Sequence, residues 1–227
     1  NDEQFRKNFP ADFIAEGVDQ TRGWFFTLHA IAVILFDSVA YKNVVSNGLV
    51  LDKEGNKMSK RLGNAVDPFA TIEKFGADAT RWYFYSVISP GPSFRFSSSL
   101  VKEVIKRFML TLWNSYNFFV SYANVDKWEA NSKKLKTNSQ NVLDRWILSL
   151  SNRLTLEVTQ ALDSYDTFSA ITKIQEFVND LSTWYIRRSR DRIGLSAEGE
   201  EDKQLFYQTC FAVLTNLSKL FAPIAPF

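Results

Sequence analysis

The run Asn43-Val44-Val45-Ser46-Asn47-Gly48-Leu49-Val50-Leu51 passes through the turn Asp52-Lys53-Glu54-Gly55-Asn56 into Lys57-Met58-Ser59-Lys60-Arg61. Its β-branched, apolar character predicts a strand over Asn43 to Leu51 that ends in a loop carrying two lysines. Upstream, Ala11 to Ala15 predicts a strand and Val18 to Phe36 a helix. Strand, helix and second strand form a crossover unit, so the two strands are expected to lie parallel in one sheet. Two strands do not make a stable sheet by themselves. The rest of the sheet is therefore expected from sequence on the N-terminal side, or this face is buried in some other way.

The lysine loop admits two readings. Two ammonium groups on a loop flanked by Gly55 and Gly63 can close on the phosphates of a nucleotide; the same residues also suit a solvated hairpin connection. The stretch Glu16-Gly17-Val18-Asp19-Gln20-Thr21-Arg22-Gly23-Trp24-Phe25 stands at the carboxyl end of the first strand, where open α/β sheets bind ligands. It suits helix capping equally, with Glu16 and Asp19 complementing the helix dipole and Gly17 easing the turn.

Outward from this unit the pattern becomes helical. Asp67-Pro68 fits a helix start and Gly76 its stop, giving a short helix from Pro68 to Phe75. A second helix begins near Ala77 and is ended by Ser89-Pro90-Gly91-Pro92. From about Ser97, apolar residues recur at helical period: Val101, Val104, Ile105 and Phe108; Leu143, Trp146 and Ile147; Phe168, Ile171 and Ile174; Phe206, Val213 and Leu217. Four such helices predict an antiparallel bundle. The polar link from Lys127 to Asn141 is expected to be a mobile surface loop, and no internal repeat is apparent. The fold class is mixed: a partial Rossmann-like α/β segment over residues 1–66, short connecting helices over 67–100 and a helical domain over 101–227.

A chain of 227 residues that is 45% hydrophobic has ample material for a core. Its 27 basic and 25 acidic residues leave a net charge of +2, so there is no global pull toward nucleic acid or anionic membranes. Any RNA contact has to come from a local patch. The single Cys210 excludes an intrachain disulfide and a cysteine-rich zinc site, in keeping with a reducing cytoplasm, and its apolar surroundings mark it as a core residue. The longest strongly apolar run, around Ala30 to Phe36, is far too short for a bilayer span. The start at Asn1 and the end at Phe227 are those expected of a piece of a longer protein.

The string from Asn47 to Pro68, with its upstream Gly48 and downstream Asn64 and Asp67-Pro68, closely resembles the second signature of class I aminoacyl-tRNA synthetases. Glu16-Gly17-Val18-Asp19-Gln20-Thr21-Arg22-Gly23-Trp24-Phe25 independently resembles the form found in the isoleucyl branch. Valyl and leucyl relatives share the lysine loop and generally depart from this second string. The usual Ser at the fifth loop position is here Arg61, a form familiar in isoleucyl enzymes that resemble eukaryotic ones. The His-containing first signature of the class is absent, and His29, within the first helix, reads as packing or surface.

The resemblance implies an enzyme that joins isoleucine to ATP as an adenylate and passes the aminoacyl group to tRNA(Ile). ATP with Mg2+ enters as substrate, and no bound metal or organic cofactor is expected in this segment. Lys57 and Lys60 would be the catalytic cations. Glu16, Gly17, Asp19, Gln20, Gly48, Met58, Ser59, Lys60 and Arg61 would form the ATP and adenylate site, and Trp24 would line the isoleucine pocket. Without the resemblance, Trp24 reads equally as a core residue, and Met58 as packing for the loop.

Trp184-Tyr185-Ile186-Arg187-Arg188-Ser189-Arg190-Asp191-Arg192 and Leu143-Asp144-Arg145-Trp146-Ile147-Leu148 resemble the anticodon-binding helical domain of the same branch, which implies tRNA contacts by Arg187, Arg188 and Arg190. The alternative is structural: arginines neutralising a helix end and pairing with Asp180 and Asp191. Isoleucine and valine differ by one methylene, which a pocket separates only weakly. The remaining domains of the parent chain, its N-terminal catalytic half and an editing domain, are thus further expected partners. Competing assignments are a valyl or leucyl enzyme and a non-catalytic RNA-binding module.

Overall fold

In the computed structural model, which describes residues 2–130, 139–193, 197 and 199–227 and only the backbone of Lys60, the chain opens with helix α1 (Asp2–Asn8). Strand β1 (Ala11–Gly17), a 3-10 turn over Val18–Arg22, helix α2 (Trp24–Phe36) and strand β2 (Tyr41–Asn47) follow. β1 and β2 pair in parallel, as expected of a crossover. The helix expected from Val18 starts instead at Trp24. Thr21 donates its hydroxyl to the Val18 carbonyl, and short polar side chains that bond locally compete with a regular helix start.

The strand expected through Leu51 breaks at Gly48. A side chain there would collide with the Pro92 carbonyl, so glycine is required where the segment around Ser93 crosses. Beyond the break, β3 (Val50–Leu51) forms a separate parallel pair with β4 (Phe94–Arg95), which follows the two short helices α3 (Pro68–Phe75) and α4 (Ala77–Ser86). Gly76, at φ +85, separates those helices, as its place in the sequence predicts.

Helix α5 (Ser98–Val104) continues through a π-helical turn, Ile105–Met109, into α6 (Leu110–Val125). Then come α7 (Val142–Asp163), α8 (Thr167–Asp180) running into a second π-helical segment over Leu181–Ile186, and α9 (Glu200–Phe221). Part of the polar link expected between Lys127 and Asn141, residues 131–138, lies outside the described residues.

Two compact units result: Asn1–Asp67 with Ile88–Ser97, and Pro68–Val87 with Ser98–Phe227. The helical unit has the large core, in which Ile147, Ile171, Ile174, Leu181, Tyr185 and Phe206 are fully buried. Trp82 stacks on Phe108 at 4.2 Å. Cys210 is buried there as expected, and burial pushes its thiol well up from its ordinary range. In the α/β unit Ile14, Phe25, Ala32 and Ala40 are buried, while Phe13, Phe26 and Ile34 stay exposed.

Candidate functional site

The register of the parallel pair sets Glu16 beside Ser46 and Gly17 beside Asn47. The polar stretch after β1 and the segment leading to the lysine loop therefore leave the same carboxyl edge as neighbours, the position at which open α/β sheets take ligands. Glu16 and Asp19 are exposed there and Gln20 is half-buried. Gln20 is the residue that caps α2: its Oε1 accepts the Trp24 amide at 3.0 Å and its Nε2 donates to Asp19 at 3.3 Å. Asp19 lies in the first turn of the Val18–Arg22 segment, where its charge suits the helix dipole, and the Glu16 carboxylate accepts the Gly17 N–H at 3.3 Å. A Cβ on Gly17 would come within 2.6 Å of the Asp19 carboxylate, so this glycine makes room for that side chain. Trp24 is 45% exposed while Phe25 is buried, which removes the core reading of Trp24. His29 is half-buried, its ring 6.0 Å from that of Tyr41.

The lysine loop is organised by two residues that the sequence reading assigned no role. Asp52, only 7% exposed, accepts the Asn56 amide at 2.7 Å and the Asn64 side-chain amide at 2.8 Å. The Asn64 amide also donates to the Lys57 carbonyl at 3.2 Å, and its oxygen accepts the Ser59 N–H at 2.8 Å. These bonds, the one from Asn64 foremost, hold the Asp52 carboxyl below the usual carboxylate range. Gly55 at φ +93 and Gly63 at φ +66 take the left-handed turns that the loop requires. Lys57 and Arg61 are exposed, and Met58 and Ser59 are half-buried. Lys60 opens a 3-10 turn, Lys60–Leu62, and its side chain lies outside what is described. Across β3 and β4, the Arg95 guanidinium comes within 3.4 Å of where a Cβ on Gly55 would stand.

In the helical unit the arginine run divides. Arg192, its side chain 10% exposed, forms a bidentate pair with Asp144 at 2.7 and 2.8 Å and a second with Asp202. Tyr185 and Ser139 donate to the same Asp144 carboxylate. Burial alone would raise that carboxyl; the bonds from Arg192, Ser139 and Tyr185 outweigh burial and hold it below its ordinary value. The structural reading of the run thus applies to Arg192, with Asp144 and Asp202 as partners in place of Asp180 and Asp191. Arg187, Arg188 and Arg190 are exposed. Arg188 lies over the half-exposed Trp184 ring at 4.6 Å, and Arg190 over Phe118 at 5.8 Å.

Asp52 and Asn64 stood within the recognised string, and their signal was the recurrence of side chains that bond to backbone amides around a glycine turn. Asp144 likewise stood in a quoted motif. Its partner Arg192 is 48 residues away, and no local pattern announces that pairing.

Residues 1–95 match the family described as tRNA synthetases class I (I, L, M and V), and residues 144–227 match the anticodon-binding domain of tRNA ligase. The fold agrees: the methionyl-tRNA synthetase of Mycobacterium tuberculosis, solved with methionyl-adenylate, superposes with a TM-score of 0.79 at 21% identity over 99% of this chain and 44% of its own. The ternary complex of LeuRS, tRNA and LeuAMS from Agrobacterium radiobacter superposes at 0.67, with 21% identity over 96% of this chain and 26% of that one. The chain belongs to the class I tRNA synthetases.

Within that class it belongs with the isoleucine–tRNA ligases. It is 54% identical to the enzyme of Bacteroides fragilis over 96% of its length, and 46% identical to that of Thermus thermophilus over all of it. The chain spans about a fifth of the length of these relatives, 19% and 22% respectively.

Proposed function

We propose that this chain serves ATP-dependent attachment of isoleucine to tRNA(Ile), as part of a longer isoleucine–tRNA ligase. The observation that carries the reading is the shared carboxyl edge of β1 and β2, from which the Glu16–Gln20 stretch and the lysine loop both depart. In the first step an isoleucine carboxylate oxygen attacks the α-phosphorus of ATP. The bond to the bridging oxygen breaks, and pyrophosphate leaves with the electron pair. The work of the protein is alignment and stabilisation of the charge that gathers on the leaving group.

Lys57 and Lys60 supply that charge, with Met58, Ser59 and Arg61 holding the loop against the nucleotide and Gly48 keeping the strand end close to it. Glu16, Gly17, Asp19 and Gln20 take the ribose and ammonium regions of the adenylate, since carboxylates suit both hydroxyl donors and an ammonium. Trp24, exposed at the start of α2, lines the isoleucine pocket. ATP arrives with its Mg2+ as substrate. Residues 1–66 act as the end of the catalytic domain, 67–100 as connecting helices and 101–227 as the anticodon-binding domain, in a protein of the cytoplasm. In that last domain Arg187, Arg188 and Arg190 face the tRNA backbone. Among the described residues no helix is long and apolar enough to cross a membrane.

ATP–pyrophosphate exchange by the full-length protein, driven by each amino acid in turn, tests the assignment. Isoleucine is expected to be the best substrate, valine a weak second, and the 227 residues by themselves inactive. Exchange driven best by valine or leucine would move the assignment to a sister enzyme. No exchange in a folded protein would favour a non-catalytic RNA-binding role.

A further inference from the structure

Asp52 and Asn64 stand at the two ends of the lysine loop, and a 2.8 Å hydrogen bond joins their side chains. From there Asn64 reaches inward to both neighbours of Met58, donating to the Lys57 carbonyl and accepting the Ser59 amide. A lysine ammonium rides on four flexible methylenes, so its reach is set by where its backbone is anchored. Holding the backbone at residues 57 and 59 confines the origin of the Lys57 stem and the approach to Lys60.

The network also has a fixed polarity. Asn64 must donate toward Asp52 and Lys57 while accepting from Ser59; a flipped amide would set its oxygen against a carboxylate and its NH2 against an N–H. Asp52, in turn, accepts from Asn56 and Asn64 together. The pair is consequently matched in a way that neither member satisfies if changed singly.

Resting on the adenylate-forming role proposed above, we infer that Asp52 and Asn64 are positioning residues: a latch that sets the lysine loop for the departure of pyrophosphate without touching the nucleotide. Converting Asp52 to Asn places an amide donor toward the Asn64 donor. Converting Asn64 to Asp places two carboxylates face to face. Making both changes together restores a donor at 52 facing an acceptor at 64, keeps the Ser59 bond and leaves the net charge unaltered, while setting a carboxylate oxygen toward the Lys57 carbonyl, so the repair is partial.

The test is isoleucine-driven ATP–pyrophosphate exchange by full-length wild type, Asp52→Asn, Asn64→Asp and the double exchange. Each single variant is expected to lose about 10–100-fold in kcat, the scale of a misplaced catalytic group, with KM for isoleucine unchanged. The double variant should recover at least about fivefold over the worse single, short of wild type by the lost bond to Lys57 and the contact between oxygens that replaces it. Tryptic cleavage after Lys57, Lys60 and Arg61 without substrates gives a second readout: faster in the single variants, restored in the double. Singles within about twofold of an active wild type, or a double no better than the worse single, would overturn the latch alone. An inactive, folded wild type would overturn the enzymatic reading, and the positioning role with it.

Discussion

Asp144 in the helical unit and Asp52 in the α/β unit are both buried carboxylates held below their ordinary range by hydrogen bonds, yet they serve opposite ends. Asp144 binds Arg192, Tyr185 and Ser139, joining the start of α7 to the segments that follow α8, and through Arg192 to Asp202 on α9. Its partners lie far apart in sequence, and losing it unties a core. Among the described residues, the side-chain partners of Asp52 all belong to its own loop. Losing it leaves the surrounding strands their pairing and frees a short strip of backbone. The same chemistry thus stabilises a domain in one unit and shapes a loop in the other. The packing differs correspondingly: Ile174 is fully buried in the bundle, whereas Ile34 on α2 is 80% exposed.

The largest effect is expected from Asp144→Ala. It leaves the Arg192 guanidinium with Asp202 as its remaining carboxylate and takes the acceptor from the buried Tyr185 and Ser139 hydroxyls, and groups left without a partner in this way cost about 3–5 kcal/mol together. Urea unfolding of the 227-residue chain, followed by far-UV circular dichroism, measures it. A loss below about 1 kcal/mol would mean that the pair is dispensable and would remove the contrast with Asp52. Next comes Ile174→Ala, for which the lost contacts and the residual cavity are expected to cost about 2–4 kcal/mol. Ile34→Ala in the same chain should stay within about 0.5 kcal/mol, and equal losses at the two positions would show that α2 is covered in solution.

Much of this was legible in the sequence because its periods are simple. The bundle helices show a 3.6-residue apolar repeat, and Pro68 and Gly76 punctuate the short helices where expected. The parallel pair followed from a strand, a helix and a strand in that order. What could not be read depends on distant partners. The break at Gly48 is imposed by residues 92 and 93, and β4 is only two residues long, too short to show alternation. The π-helical turns at Ile105–Met109 and Leu181–Ile186 widen a helix without changing its composition. At the site, the lysine loop and the Glu16–Gln20 stretch stood out as strings. That Gln20 caps α2, and that Asn64 ties Lys57 to Ser59, became visible only once the chain had been folded.

Acid should separate the two carboxylates more gently than substitution does. A carboxyl whose folded value lies below its unfolded value contributes stability that is complete above the unfolded value, near pH 4, and is lost as pH falls through the folded one. For Asp144 that loss belongs to the whole helical unit, so the unfolding midpoint of the chain should decline progressively from about pH 5 downward. The Asp144→Asn variant should start lower and decline less steeply. Equal slopes in wild type and variant would mean that other carboxylates dominate the acid response.

The smallest expected effect divides the arginine run itself. Arg188 is exposed and lies over Trp184 at 4.6 Å, outside the Asp144 network that buries Arg192. If it faces an RNA backbone, Arg188→Ala in the full-length protein should weaken tRNA binding about three- to tenfold and flatten the salt dependence by about one unit of slope. Stability should move by no more than about 0.5 kcal/mol. If the run is structural throughout, the pattern inverts, with stability falling through the lost cation–π contact and tRNA affinity unchanged. Binding and unfolding measured on the same variant therefore decide whether the boundary between scaffold and RNA surface falls between Arg188 and Arg192.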